Sequence, residues 1–282
     1  MALGGIPVSG GAAGHGTLIY CNLLYSPLLY DAYGNPQARP AYTLGGTAGA
    51  AGYEAAFAID KDPKTLFETA ASTDDITLTM THAVTPPVVY GMVLLGHNLV
   101  YGACTAFIDG GIGNYNTELA PIVINAATLT PAYYLLSAAD IATTAGWTYW
   151  RIRVNFTDST ALQIGEMFLI GAAPCAFAKN YNKGFVSDME YGKVSSSGIS
   201  GIPRVITRWE RKRYNITFTE ITEAQLTALQ DAARNEHVIF SPTGASGKAY
   251  FGVIEVEPPT YITEVDGGSI YNVTVNFTEA AR

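Results

Sequence analysis

The chain has 282 residues, of which 48% are hydrophobic and only 14% are charged, and its formal net charge is −8. A charge content this far below the average of about 25% excludes a disordered, charge-extended chain. A chain of this length can bury enough surface to fold as one large domain or two ordinary ones without a disulfide or metal staple.

The charges are unevenly distributed. Residues 1–170 carry five Lys/Arg against twelve Asp/Glu, whereas residues 171–282 carry eleven against twelve. A partner made of nucleic acid would require a dominant basic surface, because each phosphate contact needs a Lys or Arg. This balance argues against that partner. The sequence also has no run of about 18 uncharged apolar residues, so it predicts no membrane insertion.

The N-terminal sixteen residues are mostly Gly, Ala and Ser, and they lack the basic start and long apolar run of a secretion signal. They predict a flexible arm over residues 1–16 and synthesis in a cytoplasm. The three cysteines, Cys21, Cys104 and Cys175, fit no metal-ligand spacing, and buried free thiols are the simpler interpretation.

From residue 17 to 171, short apolar or alternating runs are separated by Gly, Pro, Asn and Asp, which predicts an antiparallel sandwich or barrel whose first strand is at residues 17–24. In residues 150–154 the alternation places Arg151 and Arg153 together on the solvent face. Residues 88–95 are apolar almost throughout, so we expect a strand that is covered on both faces.

The pattern of apolar and polar residues changes after residue 171. Residues 172–203 show little periodicity and predict a connector, with a mobile loop at 195–201. Residues 204–219 resemble a long strand whose apolar side chains shift from odd to even positions, which predicts a bulge near residues 211–213. A capping box of Thr222 and Gln225 predicts a helix over 222–235, within a smaller β-rich domain over 204–282.

Four segments of the first half, taken in order, resemble the galactose-binding-domain-like, or discoidin-type, jelly roll. They read YEAAFAIDKDPKTLFETA, VVYGMVLLGHNL, WTYWRIRVNF and IGEMFLIG. Phe67 stands where the family's first turn usually has Trp. The resemblance covers about half of the chain and implies an N-terminal antiparallel jelly-roll sandwich. With the smaller β-rich domain and its one helix after it, the expected fold is mainly β.

The same resemblance implies a structural calcium site formed by Asp60, Asp62, Thr65 and Glu166, because oxygen ligands from a turn and a distant strand can converge on Ca²⁺. The residues leave an alternative open, in which Asp60 and Asp62 hydrogen-bond the backbone of their own turn. No other cofactor is predicted.

The C-terminal 110 residues resemble a domain of distal-tail and minor tail proteins of long-tailed bacteriophages. The resemblance rests on a strand rich in Arg and aromatics, a capped helix, a strand entering a Gly/Ser turn and a closing strand NVTVNFTEA. It implies a virion tail protein that assembles with itself as a ring and with other tail proteins. An inter-subunit interface is predicted at Arg208, Trp209, Arg211, Lys212, Arg213 and Tyr214, and single-stranded nucleic acid is the alternative partner.

Two non-catalytic functions follow. The first is a structural component of a phage tail, which forms a ring with other copies, organises assembly and is able to contact the host. The second is a carbohydrate-binding module that attaches to a surface glycan. Eighteen tyrosines suit either an assembly interface or a sugar-binding face. For the second function, Trp147 and Tyr149 are aromatic residues that could stack on a sugar ring or pack in the core. His97 follows the apolar run, but the sequence assigns it no nucleophile or carboxylate, and no carboxylate pair spans a predicted cleft, so no catalytic residue is predicted.

Overall fold

The structure is a computed structural model, and it describes residues 3–4, 17–20, 23–24, 28–30, 36–38, 42–46, 50, 52–60, 62, 65–70, 73–80, 86–124, 131–157, 160–177, 186–197, 203–234, 237–241, 248–265 and 268–280. Within these ranges the chain is mainly β, has two α-helices, and pairs its named strands antiparallel. The elements are β1 (Leu3–Gly4), β2 (Thr17–Ile19), β3 (Leu28–Tyr30), β4 (Pro36–Ala38), β5 (Tyr42–Gly46), a 3₁₀ helix (Ala55–Ile59), β6 (Phe67–Glu68), β7 (Thr73–Met80), β8 (Gly91–Leu95), β9 (Cys104–Gly111), β10 (Thr117–Pro121), β11 (Ala132–Leu135), α1 (Ala138–Thr144), β12 (Tyr149–Phe156), β13 (Gln163–Ile164), β14 (Glu166–Ile170), β15 (Cys175–Ala176), β16 (Val186–Ser197), β17 (Pro203–Thr222), α2 (Glu223–Ala233), β18 (Val238–Ser241), β19 (Lys248–Val256), β20 (Thr260–Val265) and β21 (Gly268–Glu279).

A jelly-roll-like sandwich occupies the middle of the chain. Its five-stranded sheet has the order β10-β9-β12-β7-β5, and its three-stranded sheet has the order β11-β8-β14. Ile108 of β9 and Ile152 of β12 share one buried cluster with Met92 and Leu94 of β8. The two sheets therefore face each other across a common core, as in sandwich folds.

Strand β8 is buried along its whole length, which confirms the prediction for residues 91–95. The strand begins later than predicted, and Val88 is 51% exposed. Met92 and Leu94 point into the sandwich core. Val93 and Leu95 point the other way and pack in a second cluster with Phe251 of β19. The three-stranded sheet is thus the layer between the five-stranded sheet and a third sheet.

The third sheet has nine strands, in the order β15-β2-β18-β19-β21-β17-β16, with β1 paired to β19 and β20 paired to β21. Strand β2 belongs to this sheet through its pairing with β18 and not to the sandwich, which corrects the prediction for residues 17–24. The reason is burial on two sides: Leu18 belongs to the same cluster as Phe240 and Phe277 of the nine-stranded sheet, and Ile19 belongs to the second cluster.

Two segments predicted to be irregular contain strands. In the predicted arm, β1 pairs with β19 through Leu3 and Ala249. Strand β21 pairs with β19 only from Gly252 onward, so β1 pairs with the part of β19 that β21 does not reach. In the predicted connector and loop, residues 186–197 form β16, which pairs with β17 through residue 203. This pairing satisfies the backbone groups of a polar, serine-rich segment whose side chains gave no strand signal.

Strand β17 has a bulge where Gly192 pairs with Trp209 and Lys193 pairs with Thr207, a few residues before the position predicted from side-chain parity. Beyond it Tyr214, Ile216 and Phe218 are buried, as predicted. The helix α2 begins after Thr222, and the reciprocal capping box with Gln225 is present. Helix α1 was not predicted, although Ser137 and Asp140 form a capping box there as well.

Candidate ligand-binding site

A cluster of charged side chains lies on the solvent face of β12 in the sandwich. Trp150, Ile152 and Val154 are buried in the core, which leaves Arg151 and Arg153 on the opposite face, as the alternation predicted. In the neighbouring strand β9, Asp109 is directly opposite Arg151. The pairing of β9 with β12 therefore brings this acid to the two arginines.

Asp109 is only 2% exposed, and both arginines donate to the same oxygen of its carboxylate. Arg151 reaches Oδ2 from Nη2 at 2.6 Å and from Nε at 3.0 Å. Arg153 reaches it from Nε at 3.1 Å. A buried carboxylate needs such charge-assisted donors, because removing it from water without them is costly.

Glu118 of β10 extends this network toward the edge of the sheet. It is paired in register with Asp109 and accepts a hydrogen bond from Nη2 of Arg153. The hydrogen bond from Arg153 to Asp109 is the largest cause that raises the pKa of the Arg153 guanidinium, and the charges of Asp109 and Glu118 add to it. The two arginines are thus balanced by two carboxylates.

Aromatic rings border the ion pairs. The ring of Tyr115 meets that of Tyr149 edge to face at a centroid distance of 5.4 Å. The guanidinium carbon of Arg151 lies 5.0 Å from the centre of the Tyr115 ring, and that of Arg153 lies 5.0 Å from the centre of the Phe107 ring. These contacts hold planar cations against aromatic faces.

The loop between β9 and β10 brings further polar groups to this surface. Gly113 has a φ of +82°, which favours glycine in the turn. The loop folds back on Gly111, where an added Cβ would lie 2.8 Å from the carbonyl oxygen of Asn114 and 2.9 Å from Oδ1 of Asn116. Both asparagines are exposed and could hydrogen-bond a ligand.

These groups are named the Asp109 surface, comprising Phe107, Asp109, Asn114, Tyr115, Asn116, Glu118, Tyr149, Arg151 and Arg153. Sequence reasoning placed Arg151 and Arg153 on one face and named Tyr149 as an aromatic residue that could stack on a sugar, but it missed the other members. The one available signal was Asp109 itself, an acid at the end of the otherwise uncharged run in residues 103–109. The partners could not be found because strand register brings them together, not sequence spacing.

The predicted calcium ligands make a hydrogen-bonded turn. Asp60 accepts from the backbone N–H of Asp62 at 2.9 Å and from Oγ1 of Thr65 at 2.5 Å. Glu166 is buried in β14. In the described part of the chain no three acidic, histidine or cysteine side chains form a group that could hold a metal ion. The calcium site stays a prediction, and the observed bonds match the alternative of a self-bonded turn.

His97 has a local role in the turn that follows β8. Its Nδ1 accepts a hydrogen bond from the backbone N–H of Leu99 at 3.1 Å. The side chain of Asn98 bridges to the next segment by accepting from the N–H of Gln163 and donating to the carbonyl of Ala161. These bonds position the loop, and none of them forms a catalytic arrangement.

The predicted interface residues lie on or beside β17. Arg211 donates to Glu190 at 2.8 Å, and Lys212 lies 3.4 Å from the hydroxyl of Tyr250. Arg213 also faces Glu190, and Tyr214 is buried. The side chains of Arg208 and Trp209 lie outside the described residues. No described contact tests the interface itself.

A polar groove of about 370 Å³ lies on the nine-stranded sheet. Its walls include Arg213, Asn215, Glu255 and Asn276. Asn215 donates to Asn276 at 2.7 Å, so the amides of neighbouring strands bond each other. This pattern is typical of a solvated sheet face.

The cysteines and helices add no further site. Neither Cys104 nor Cys175 is in a disulfide, and Cys21 lies outside the described residues. Burial raises the pKa of the Cys175 thiol to about 11. Among the helices that the structure describes, none has the length and apolar character that spanning a bilayer would require.

No protein-family model and no curated protein matches the chain. Solved structures similar to it include chitosan-binding module 1 of a chitosanase/glucanase from Paenibacillus sp. IK-5, at 14% identity over 54% of this chain and 100% of that chain, with a TM-score of 0.34. CBM32-3, from a family 31 glycoside hydrolase of Clostridium perfringens, has 16% identity over 46% and 91%, with a TM-score of 0.33. A mutant lectin binding domain of lectinolysin, complexed with Lewis b, has 13% identity over 48% and 94%, with a TM-score of 0.35. Identities and TM-scores this low support no inference about function.

Proposed function

We propose that this chain is a non-catalytic glycan-binding protein and that the Asp109 surface binds the sugar. The observation that carries the proposal is the contact of Tyr115 with Tyr149 and Arg151. One face of a pyranose ring is lined by C–H bonds and packs on aromatic rings, while its hydroxyl groups bond to planar donors and acceptors. The surface offers both kinds of group side by side.

The proposal assigns no chemistry to the two carboxylates. Glycoside hydrolysis needs one carboxylic acid and one carboxylate directed at the scissile bond. Asp109 is instead covered by Arg151 and Arg153, and Glu118 is bonded to Arg153. These carboxylates hold the arginines in place, which suits recognition better than catalysis.

The test is a glycan array followed by affinity measurement with Tyr115→Ala. Removing a stacking ring is expected to cost about 1–2 kcal/mol, a factor of roughly 5–30 in affinity. Tyr101→Ala is the matched control, because Tyr101 is a more exposed tyrosine at the opposite end of β9. Loss of binding in the control but not in Tyr115→Ala would move the site to the loop before β9. An array without any binder would refute the proposal.

A second candidate, a structural component of a phage tail that assembles in the virion, is favoured by the shape of the β16–β17 pair. Strand β17 has 20 residues and pairs with β21 only from Arg213 onward. Among the described residues, the backbone of 203–212 pairs with β16 alone. A two-stranded ribbon is marginally stable in water, so this one is expected to gain from contact with another protein surface.

Electron microscopy and sedimentation of the purified chain test this candidate. Ring-shaped particles made of several copies are the expected result. A chain that stays monomeric at high concentration would count against it. A wash at high salt then distinguishes burial from charge pairing, since only the latter weakens as the ionic strength rises.

A further inference from the structure

We infer that the Asp109 surface selects uncharged sugars and disfavours anionic ones, such as uronates and sulfated sugars, even though two arginines lie in it. The inference rests on the proposed glycan binding and adds the chemical class of the ligand. An arginine pair on a protein surface ordinarily suggests a carboxylate or sulfate ligand, because guanidinium groups bind such anions in a bidentate manner.

Here the Nε–Nη2 edge of each guanidinium, one of the two edges that can bind an anion in a bidentate manner, is already occupied. Arg151 directs both Nε and Nη2 to Asp109. Arg153 directs Nε to Asp109 and Nη2 to Glu118. An anionic sugar that bound this edge would have to displace a carboxylate, and a displaced Asp109 would be a buried charge without its cations. A sugar hydroxyl group, in contrast, needs only a single hydrogen-bond donor or acceptor.

The surrounding charge acts in the same direction. The two arginines and two carboxylates sum to no net charge within the surface. Residues 1–170 carry five Lys/Arg against twelve Asp/Glu. The part of the sequence that contains the sandwich therefore has a net negative charge, which disfavours an anion that approaches within a Debye length of about 8–10 Å at ordinary salt.

The experiment is an array that presents neutral, uronate, sialylated and sulfated glycans, probed with the full chain at low salt. We expect the bound glycans to be neutral and each anionic counterpart to bind at least about fivefold more weakly, the effect of a charge interaction of about 1 kcal/mol. An anionic glycan that binds as tightly as its neutral counterpart, and loses binding in Tyr115→Ala, overturns this inference while leaving the proposed function intact. An array without binders refutes both.

Glu118→Gln supplies a second measurement. The Glu118 side chain is 52% exposed, so the variant is expected to fold, which thermal unfolding checks. Removing this charge should raise the ratio of anionic to neutral affinity by up to about fivefold at low salt. A ratio that does not change would show that charge balance does not set the selectivity.

Discussion

The Oδ2 atom of Asp109 lies 2.6 Å from Nη2 of Arg151, and Asp109 is almost fully buried. The two residues belong to adjacent strands and are directly opposite in register. Because Arg153 bonds the same oxygen, one carboxylate ties two positions of β12 to β9. This link fixes the arginines before any ligand arrives.

Asp109→Asn is expected to destabilise the chain by about 1–3 kcal/mol, because a neutral amide replaces the charged acceptor and turns an N–H₂ group toward cations. Urea unfolding measures the change. Glu118→Gln is the matched control, since this partly exposed pair should contribute less than about 1 kcal/mol. Equal costs for the two variants would contradict the role given to the buried acid.

Gly110→Ala is expected to destabilise the sandwich by about 1–3 kcal/mol through overpacking. A Cβ on Gly110 would run into the ring of Trp147 and lie 2.5 Å from the carbonyl oxygen of Tyr149. Near-UV circular dichroism should report the displaced indole. Gly113→Asn is the control, because that position has open space and a positive φ that Asn tolerates. A wild-type spectrum and stability for Gly110→Ala would contradict the packing at β9.

Glu279→Gln is expected to become more stabilising, relative to the wild type, as pH rises from 4 to 7. Burial raises the pKa of Glu279 above its ordinary value of 4.5, while the N–H of Lys212 acts in the opposite direction. The folded state therefore holds this proton more tightly, and its contribution to stability is complete below pH 4.5 and is lost as pH rises through the folded pKa. Melting temperatures across this range measure the effect.

Glu190→Gln is the control of opposite sign. The hydrogen bond from Arg211 lowers the pKa of Glu190, so its contribution is present above pH 4.5 and is lost as pH falls through the folded pKa. This variant should be most destabilising at neutral pH. Parallel pH profiles for the two variants would show that burial does not govern Glu279.

Asp60→Ala is expected to cost about 0.5–1.5 kcal/mol without any metal, because the N–H of Asp62 and the hydroxyl of Thr65 lose their acceptor. If the turn bonds only itself, millimolar Ca²⁺ will not change the melting temperature of the wild type. A rise with Ca²⁺ that disappears in Asp60→Ala would instead establish the calcium site, since a ligand that binds only the folded state stabilises it.

The sequence predicted the features that depend on local patterns. Continuous apolar character predicted the double burial of β8, alternation predicted the exposed Arg151 and Arg153, and the capping box predicted the start of α2. Asp109 and Glu118 could not be matched to the arginines, because strand pairing over some 40 residues determines which side chains meet. The same limit concealed the sheet to which β2 belongs, because its partner β18 lies far along the chain. Strand β16 was missed for another reason: its partner β17 is the next strand, but its polar, serine-rich sequence gives no strand pattern.

The two-sided burial of the three-stranded sheet has a practical consequence for dissecting this protein. Its outer layer of Val93, Tyr133, Phe168 and Ile170 packs in one cluster with Ile239 and Phe251 of the nine-stranded sheet. A fragment cut at the ends of the sandwich would leave that apolar layer in water, so we expect it to precipitate or to self-associate. The sandwich is therefore unsuitable as an isolated domain, and fusion partners should be attached to the intact chain.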